Sequence, residues 1–144
     1  MSLHGPYEND NIFAKILRGE MPCVKVFEDN NILSFMDVFP QSEGHTLVIP
    51  KAPSRNFLET NPKDIGRLFG TVQRISKAVD LALKPDGIRI AQFNGAPAGQ
   101  TVFHTHVHII PCYEGKSLGA HGGGMADMDK LSALATKIKE QLEA

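Results

Sequence analysis

Three histidines at alternate positions, His104, His106 and His108, sit within the run Phe103-His104-Thr105-His106-Val107-His108-Ile109-Ile110. Successive side chains of an extended strand point to opposite faces. A strand here therefore puts all three imidazoles on one face and Phe103, Thr105, Val107 and Ile109 on the other. Clustered imidazoles are costly to bury and add little packing, so the cluster is placed for chemistry. The pattern predicts a strand over 102–110, closed by Pro111.

The rest of the chain supplies elements around that strand. Residues 1–10 read as a loose lead-in. A short helix follows, with Asp10 or Asn11 as its cap and Ile12, Phe13, Ile16 and Leu17 at helical spacing. Gly19 and Pro22 end it. Residues 24–28 and 32–37 predict a hairpin around Asp29-Asn30-Asn31, and 45–50 a compact apolar strand. Asn61-Pro62 opens the longest helix, running to about Lys84. Its apolar face is Ile65, Leu68, Phe69, Val72, Ile75, Val79 and Leu83. Residues 88–93 form another strand, and Asn94 to Gln100 a loop. The segment 114–124 is glycine-rich and expected to be mobile. A last helix starts near Asp127, with Met128, Leu131, Leu134, Ile138 and Leu142 on one side. About five strands split by one long helix predict an α+β fold with a mainly antiparallel sheet.

The 144 residues suit one domain, 1–144, with a real core. Fifteen basic against sixteen acidic residues leave a formal net charge of −1. That balance gives no basis for a broad nucleic-acid surface or a polybasic membrane contact. Cys23 and Cys112 form no paired motif, so a reducing compartment is expected. No apolar run is long enough to span a bilayer, and no signal-peptide pattern opens the sequence. A cytoplasmic protein is the expectation.

Three readings of the histidine strand compete. Imidazole is a common metal ligand, and alternate strand residues can converge on one ion; yet no Asp or Glu lies within 94–113, and there is no CxxC. The histidines could be structural, with satisfied hydrogen bonds. Or they could act by covalent catalysis. A neutral imidazole is a good nucleophile at neutral pH, phosphorus is a suitable electrophile, and a phosphorylated imidazole is reactive enough to turn over. Neighbouring imidazoles would then stabilise the phosphoryl oxygens or the leaving group. The preceding loop, with Asn94-Gly95 and Gly99-Gln100-Thr101, offers donors for a phosphate.

Residues 104–110 resemble the signature of the histidine triad (HIT) superfamily, His-φ-His-φ-His-φ-φ with φ apolar; only Thr105 departs from it. The resemblance extends to Asp37-Val38-Phe39-Pro40, to Gly44-His45-Thr46-Leu47-Val48-Ile49-Pro50-Lys51, to Asn94 and Gly99-Gln100-Thr101, and to Ile12-Phe13 with Ile16. It covers roughly 11–112, leaving 113–144 as a variable extension, and is nearest to the Hint-like branch. The resemblance implies a HIT-like fold, a five-stranded antiparallel sheet with a long central helix and a C-terminal helix. It also implies a homodimer joined across the long helix and a sheet edge. His106 would be the nucleophile, His104 and His108 would contact the phosphate and assist the leaving group, and His45 would support them. Asn94, Gly99, Gln100 and Thr101 would surround the α-phosphate and Asp37 the ribose. Ile12, Phe13, Ile16, Phe35 and Val38 would form the slot for the base.

The implied activity is hydrolysis or transfer at the α-phosphate of purine nucleoside phosphoramidates, with no cofactor and no metal. Dinucleoside polyphosphate hydrolysis and a nucleotide-binding regulatory module are the alternatives. Two departures stand out. Asn11, Ala14 and Ala52-Pro53 occupy positions where some bacterial relatives carry zinc ligands, so no structural zinc is expected. The chain has no tryptophan to bring toward the site from its C-terminus.

Overall fold

The computed structural model describes residues 2–119 and 124–143. His121, expected to lie in a loose segment without a catalytic part, falls outside them, as do Gly122 and Gly123. The elements are α1 (Ile12–Leu17), β1 (Lys25–Glu28), β2 (Ile32–Met36), β3 (Thr46–Pro50), α2 (Pro62–Leu83), β4 (Gly87–Ala91), β5 (Val107–Cys112) and α3 (Met128–Glu143). The five strands form one sheet in the order β1-β2-β3-β5-β4, every neighbouring pair antiparallel. The α+β architecture expected from the sequence is the one observed.

Local chemistry sets the boundaries. The Asn11 side chain accepts the Ala14 N–H and caps α1. Asn61 caps α2 through the Lys63 N–H, with Pro62 at the first helical position. The helix stops at Lys84, which adopts a left-handed conformation just before Pro85. In the β1–β2 turn, Asp29 Oδ1 accepts the N–H groups of Asn31 and Ile32.

Strand alternation divides the core in two. Ile32, Met36, Val48, Val107 and Ile109 point to the face covered by α2 and α3, where they meet Leu68, Val72, Ile75, Leu131, Leu134 and Ile138. Leu33, Phe35, Leu47 and Ile49 point to the other face and pack with Phe13 of α1. The apolar stripe of α3 is thus consumed by the core except at its first residue, Met128, which stays 42% exposed at the helix start. On α2, Phe69 departs from the expected buried face and stays 37% exposed, while Ala78 takes a buried place.

Three other expectations need correction. The histidine strand begins at Val107, not 102, so His104 and His106 precede it. Upstream of Val107 the chain leaves the ladder, because the Thr105 N–H donates to Ser54 O and the His104 carbonyl accepts a side-chain donor. The strand also runs through Pro111 to Cys112. Proline is tolerated there because β3 pairing ends at Thr46 opposite Ile109, and the Pro111 carbonyl takes the Ser42 hydroxyl.

The second concerns the N-terminus. Residues 2–7 are docked rather than loose: the buried Arg55 donates to the carbonyls of Ser2 and Pro6, and Asn56 to that of Leu3. The third concerns the glycine-rich segment, which is tied down where it is described. Glu114 N–H donates to Asp86, and Gly119 exchanges hydrogen bonds with Gln41.

Candidate functional site

The site lies on the α1 face of the sheet, where β5 meets the chain that enters it. His106 Nδ1 lies 2.6 Å from the His104 carbonyl oxygen. A carbonyl only accepts, so Nδ1 carries the proton and the neutral ring holds its lone pair on Nε2. The same logic fixes His104. Its Nε2 is 2.7 Å from the Pro50 carbonyl and so carries the proton, and its Nδ1 accepts from the Tyr7 hydroxyl at 2.6 Å. Burial pushes the His104 pKa down to about 4, more than the Pro50 hydrogen bond raises it, with the neighbouring His106 adding to the fall.

His45 is neutral by the same reasoning. Its Nδ1 accepts the Gln41 N–H at 3.0 Å, so the proton sits on Nε2. That nitrogen is 2.9 Å from His108 Nδ1 and 3.4 Å from Asp37 Oδ2. His108 Nδ1 therefore accepts, and the His108 proton lies on Nε2. Asp37 just follows β2; its Oδ1 accepts the Phe39 N–H at 2.8 Å. The aromatic order across the site is Phe13, His106, His108, Phe93. Phe13 and His106 centroids are 5.0 Å apart, His106 and His108 5.0 Å, and His108 and Phe93 5.5 Å.

Ligating atoms of Asp37, His45 and His108 all lie within 4.8 Å of one another, close enough to hold a cation. The Gln41 N–H and the His45 proton instead join them as a hydrogen-bonded set.

The structure brings together His104, His106, His108, His45, Asp37 and Phe13. It treats the other expected residues differently. Gln100 is buried: its Oε1 accepts the Gly95 N–H, and its Nε2 donates to the carbonyls of Arg55 and Val102. Its side chain braces the loop. Asn94 is paired with Gln92 and accepts the Phe57 N–H. Gly99, at φ 106°, ends a 3-10 turn over Ala96–Ala98. Thr101 is exposed at the loop's end. Phe35 and Ile16 pack with Phe13, Ile12 is largely exposed, and Val38 packs against the helix-side core. His4 is exposed.

Two features escaped the sequence reading. Thr105 fills an apolar slot because its hydroxyl meets Ser54 at 2.8 Å and Thr60 at 3.1 Å in a buried triangle. Tyr7 reaches the triad from the N-terminal segment. The Arg55-Asn56 pair was the available signal for the docked segment, but nothing in spacing connects it to residues 2–7.

The model of the HIT domain family matches residues 18–115. The chain belongs to the histidine triad family. It is 43% identical over 113 residues to the adenylylsulfatase HINT3 of Arabidopsis thaliana, spanning 78% of this chain and 57% of that protein. The chain thus covers just over half of that relative's length. A Hit-like protein of Bartonella henselae, described as involved in cell-cycle regulation, superposes with a TM-score of 0.91 at 44% identity, over 95% of this chain and 99% of that one. A histidine triad nucleotide-binding protein of Sulfolobus tokodaii gives a TM-score of 0.84 at 35% identity, over 91% of each chain. The tail beyond 115 thus lies largely within the superposition on the Bartonella protein. As a family member, the chain belongs to a superfamily of nucleotide-binding hydrolases and transferases.

Proposed function

We propose that this protein hydrolyses purine nucleoside 5′-phosphoramidates through a nucleotidyl-His106 intermediate, with no cofactor and no metal in any step. The observation that carries the reading is the His106 Nδ1 bond to the His104 carbonyl, which directs the lone pair to Nε2. Nε2 attacks the α-phosphorus and the phosphorus–nitrogen bond breaks. The leaving nitrogen takes a proton from solvent and departs as the amine, while the His108 Nε2–H, directed there by His45, donates a hydrogen bond to it; the water that attacks in the second step returns a proton to solvent. Water then cleaves the phosphorus–His106 bond and releases the nucleoside monophosphate. Asp37 takes the ribose, Thr101 with Asn94 and Gly99 lies along the phosphate, and Ile12, Phe13, Ile16 and Phe35 flank the base.

We read residues 1–144 as one unit that works as a homodimer in the cytoplasm. Edge strand β4 with Ile90, 44% exposed, and Phe69 on α2 supports a second copy docking there. Free Cys23 and Cys112 suit a reducing compartment, and among the described residues no helix is long and apolar enough to cross a membrane.

Turnover of adenosine 5′-phosphoramidate in EDTA, wild type beside His106→Ala, tests the proposal. AMP release by wild type alone is expected. No release, with recovery on added zinc or manganese, would move the reading to a metal site at Asp37, His45 and His108.

A second reading keeps the intermediate and changes the leaving group to sulfate, favoured by the likeness to the Arabidopsis adenylylsulfatase. Adenylyl sulfate and diadenosine polyphosphates belong in the same assay.

A further inference from the structure

Tyr7 belongs to a segment that the family model does not reach, since the match begins at residue 18, yet its hydroxyl touches the triad. The segment is fastened at several points. Arg55, itself buried, donates to the Ser2 and Pro6 carbonyls at 2.7 and 3.1 Å, and Asn56 donates to Leu3 O at 2.7 Å. The Arg55 guanidinium lies 4.6 Å from the centre of the Phe103 ring, one residue before His104. This fastening sets Tyr7 edge-on to the His104 ring at 5.7 Å, with its hydroxyl 2.6 Å from Nδ1.

We propose that Tyr7 is a positioning residue for His106, acting through the two hydrogen bonds that clamp His104. The direction of each bond follows from chemistry. Pro50 O can only accept, so His104 Nε2–H donates to it and Nδ1 needs a donor; Tyr7 O–H supplies one. With both nitrogens held, the ring and its backbone stay in place, and the His104 carbonyl stays on His106 Nδ1 at 2.6 Å. A buried acceptor stripped of its donor destabilises the arrangement that holds it. Loss of the hydroxyl therefore loosens the carbonyl that selects the His106 tautomer. His104, with both ring nitrogens engaged inside the protein, supports the nucleophile from behind instead of contacting phosphate through its ring.

This inference rests on His106 as the nucleophile, and two separate readouts keep the claims apart. The variant is Tyr7→Phe, which retains the ring and removes only the hydroxyl. Steady-state turnover of adenosine 5′-phosphoramidate should show kcat down about tenfold with KM within about twofold, because a positioning defect acts on the reacting atoms rather than on nucleotide affinity. Without substrate, ring-nitrogen NMR of ¹⁵N-histidine-labelled protein should show one His106 tautomer in wild type, protonated at Nδ1. In the variant the tautomers should be mixed, over a backbone amide spectrum that is otherwise unchanged. A variant that keeps the single wild-type tautomer, or that loses activity only through KM, overturns the role given to Tyr7. If wild type turns over no nucleotide while the tautomer readout behaves as expected, the proposed reaction fails and the positioning role stands.

Discussion

His45 Nε2 lies 2.9 Å from His108 Nδ1, and the Gln41 amide on the far nitrogen of His45 gives that contact its direction. The proton on His45 Nε2 forces His108 to carry its own on Nε2, the form that can serve a leaving group. His45→Ala removes the donor and should lower kcat by about a hundredfold, the lower end of what one misdirected donor at a developing charge costs. His45→Gln places an amide nitrogen near the same point and should recover part of the loss. Equal activity in the two variants would show that the direction of this bond is unimportant.

The buried His104 links stability to acid. Its pKa is lowered from an ordinary 6.5 to about 4. Above pH 6.5 the ring is neutral whether folded or unfolded, and its full contribution is present. As pH falls below 6.5 the unfolded chain takes the proton first, so stability drops until the folded ring also titrates near 4. The loss from this group should approach about 3 kcal/mol at the bottom of that window, at about 1.4 kcal/mol per pKa unit. Urea unfolding at intervals from pH 7 to 4, with NMR following the His104 ring, measures it. A folded His104 that protonates near 6.5 would contradict it.

The Gln100 side chain satisfies one N–H and two carbonyls at the base of the loop. Gln100→Ala should therefore lower stability by about 2–3 kcal/mol, because it strands buried partners. Gln100→Glu should be at least as harmful, since a carboxylate faces the carbonyls of Arg55 and Val102. Denaturant midpoints decide this. A variant with normal stability and weakened substrate affinity would instead return Gln100 to direct phosphate contact.

Gly44 sits at φ 93° in the turn leading to His45, and a Cβ there would overlap Leu83 Cδ1 and crowd Pro111 Cγ at 3.2 Å. Gly44→Ala should destabilise by about 1–3 kcal/mol through backbone strain and overpacking. Adding Leu83→Ala should cost less in this background than alone, since it relieves the overlap. Strict additivity of the two changes, read from thermal melts, would count against the packing part of the account.

Helix α2 was legible because cap, proline and periodicity agree within one stretch of chain. The five strands were legible as elements, and alternation in the histidine run put Val107 and Ile109 on one face; the faces of Leu33, Phe35 and Val48 lie within near-continuous apolar runs that do not show them. The histidine run announced the site but not its form. Alternation alone suggests a continuous strand, whereas the Ser54 contact to Thr105 takes His104 and His106 out of the ladder. Gln100 and Tyr7 were beyond reach for a similar reason. A glutamine beside glycines looks the same whether it faces a phosphate or its own loop, and residues 2–7 carry no periodicity that would tie them to Arg55 or His104. Contacts between residues 97 positions apart, such as Tyr7 to His104, leave no local trace.

Covalent nucleotidylation of His106 is the step on which the proposed hydrolysis turns. The direct measurement is a single turnover of adenosine 5′-phosphoramidate, quenched at short times and followed by intact and peptide mass analysis. A transient adenylyl group is expected on His106 in wild type, formed before AMP accumulates and absent from His106→Ala. AMP formed at full rate with no adduct, or an adduct on another residue, would contradict it.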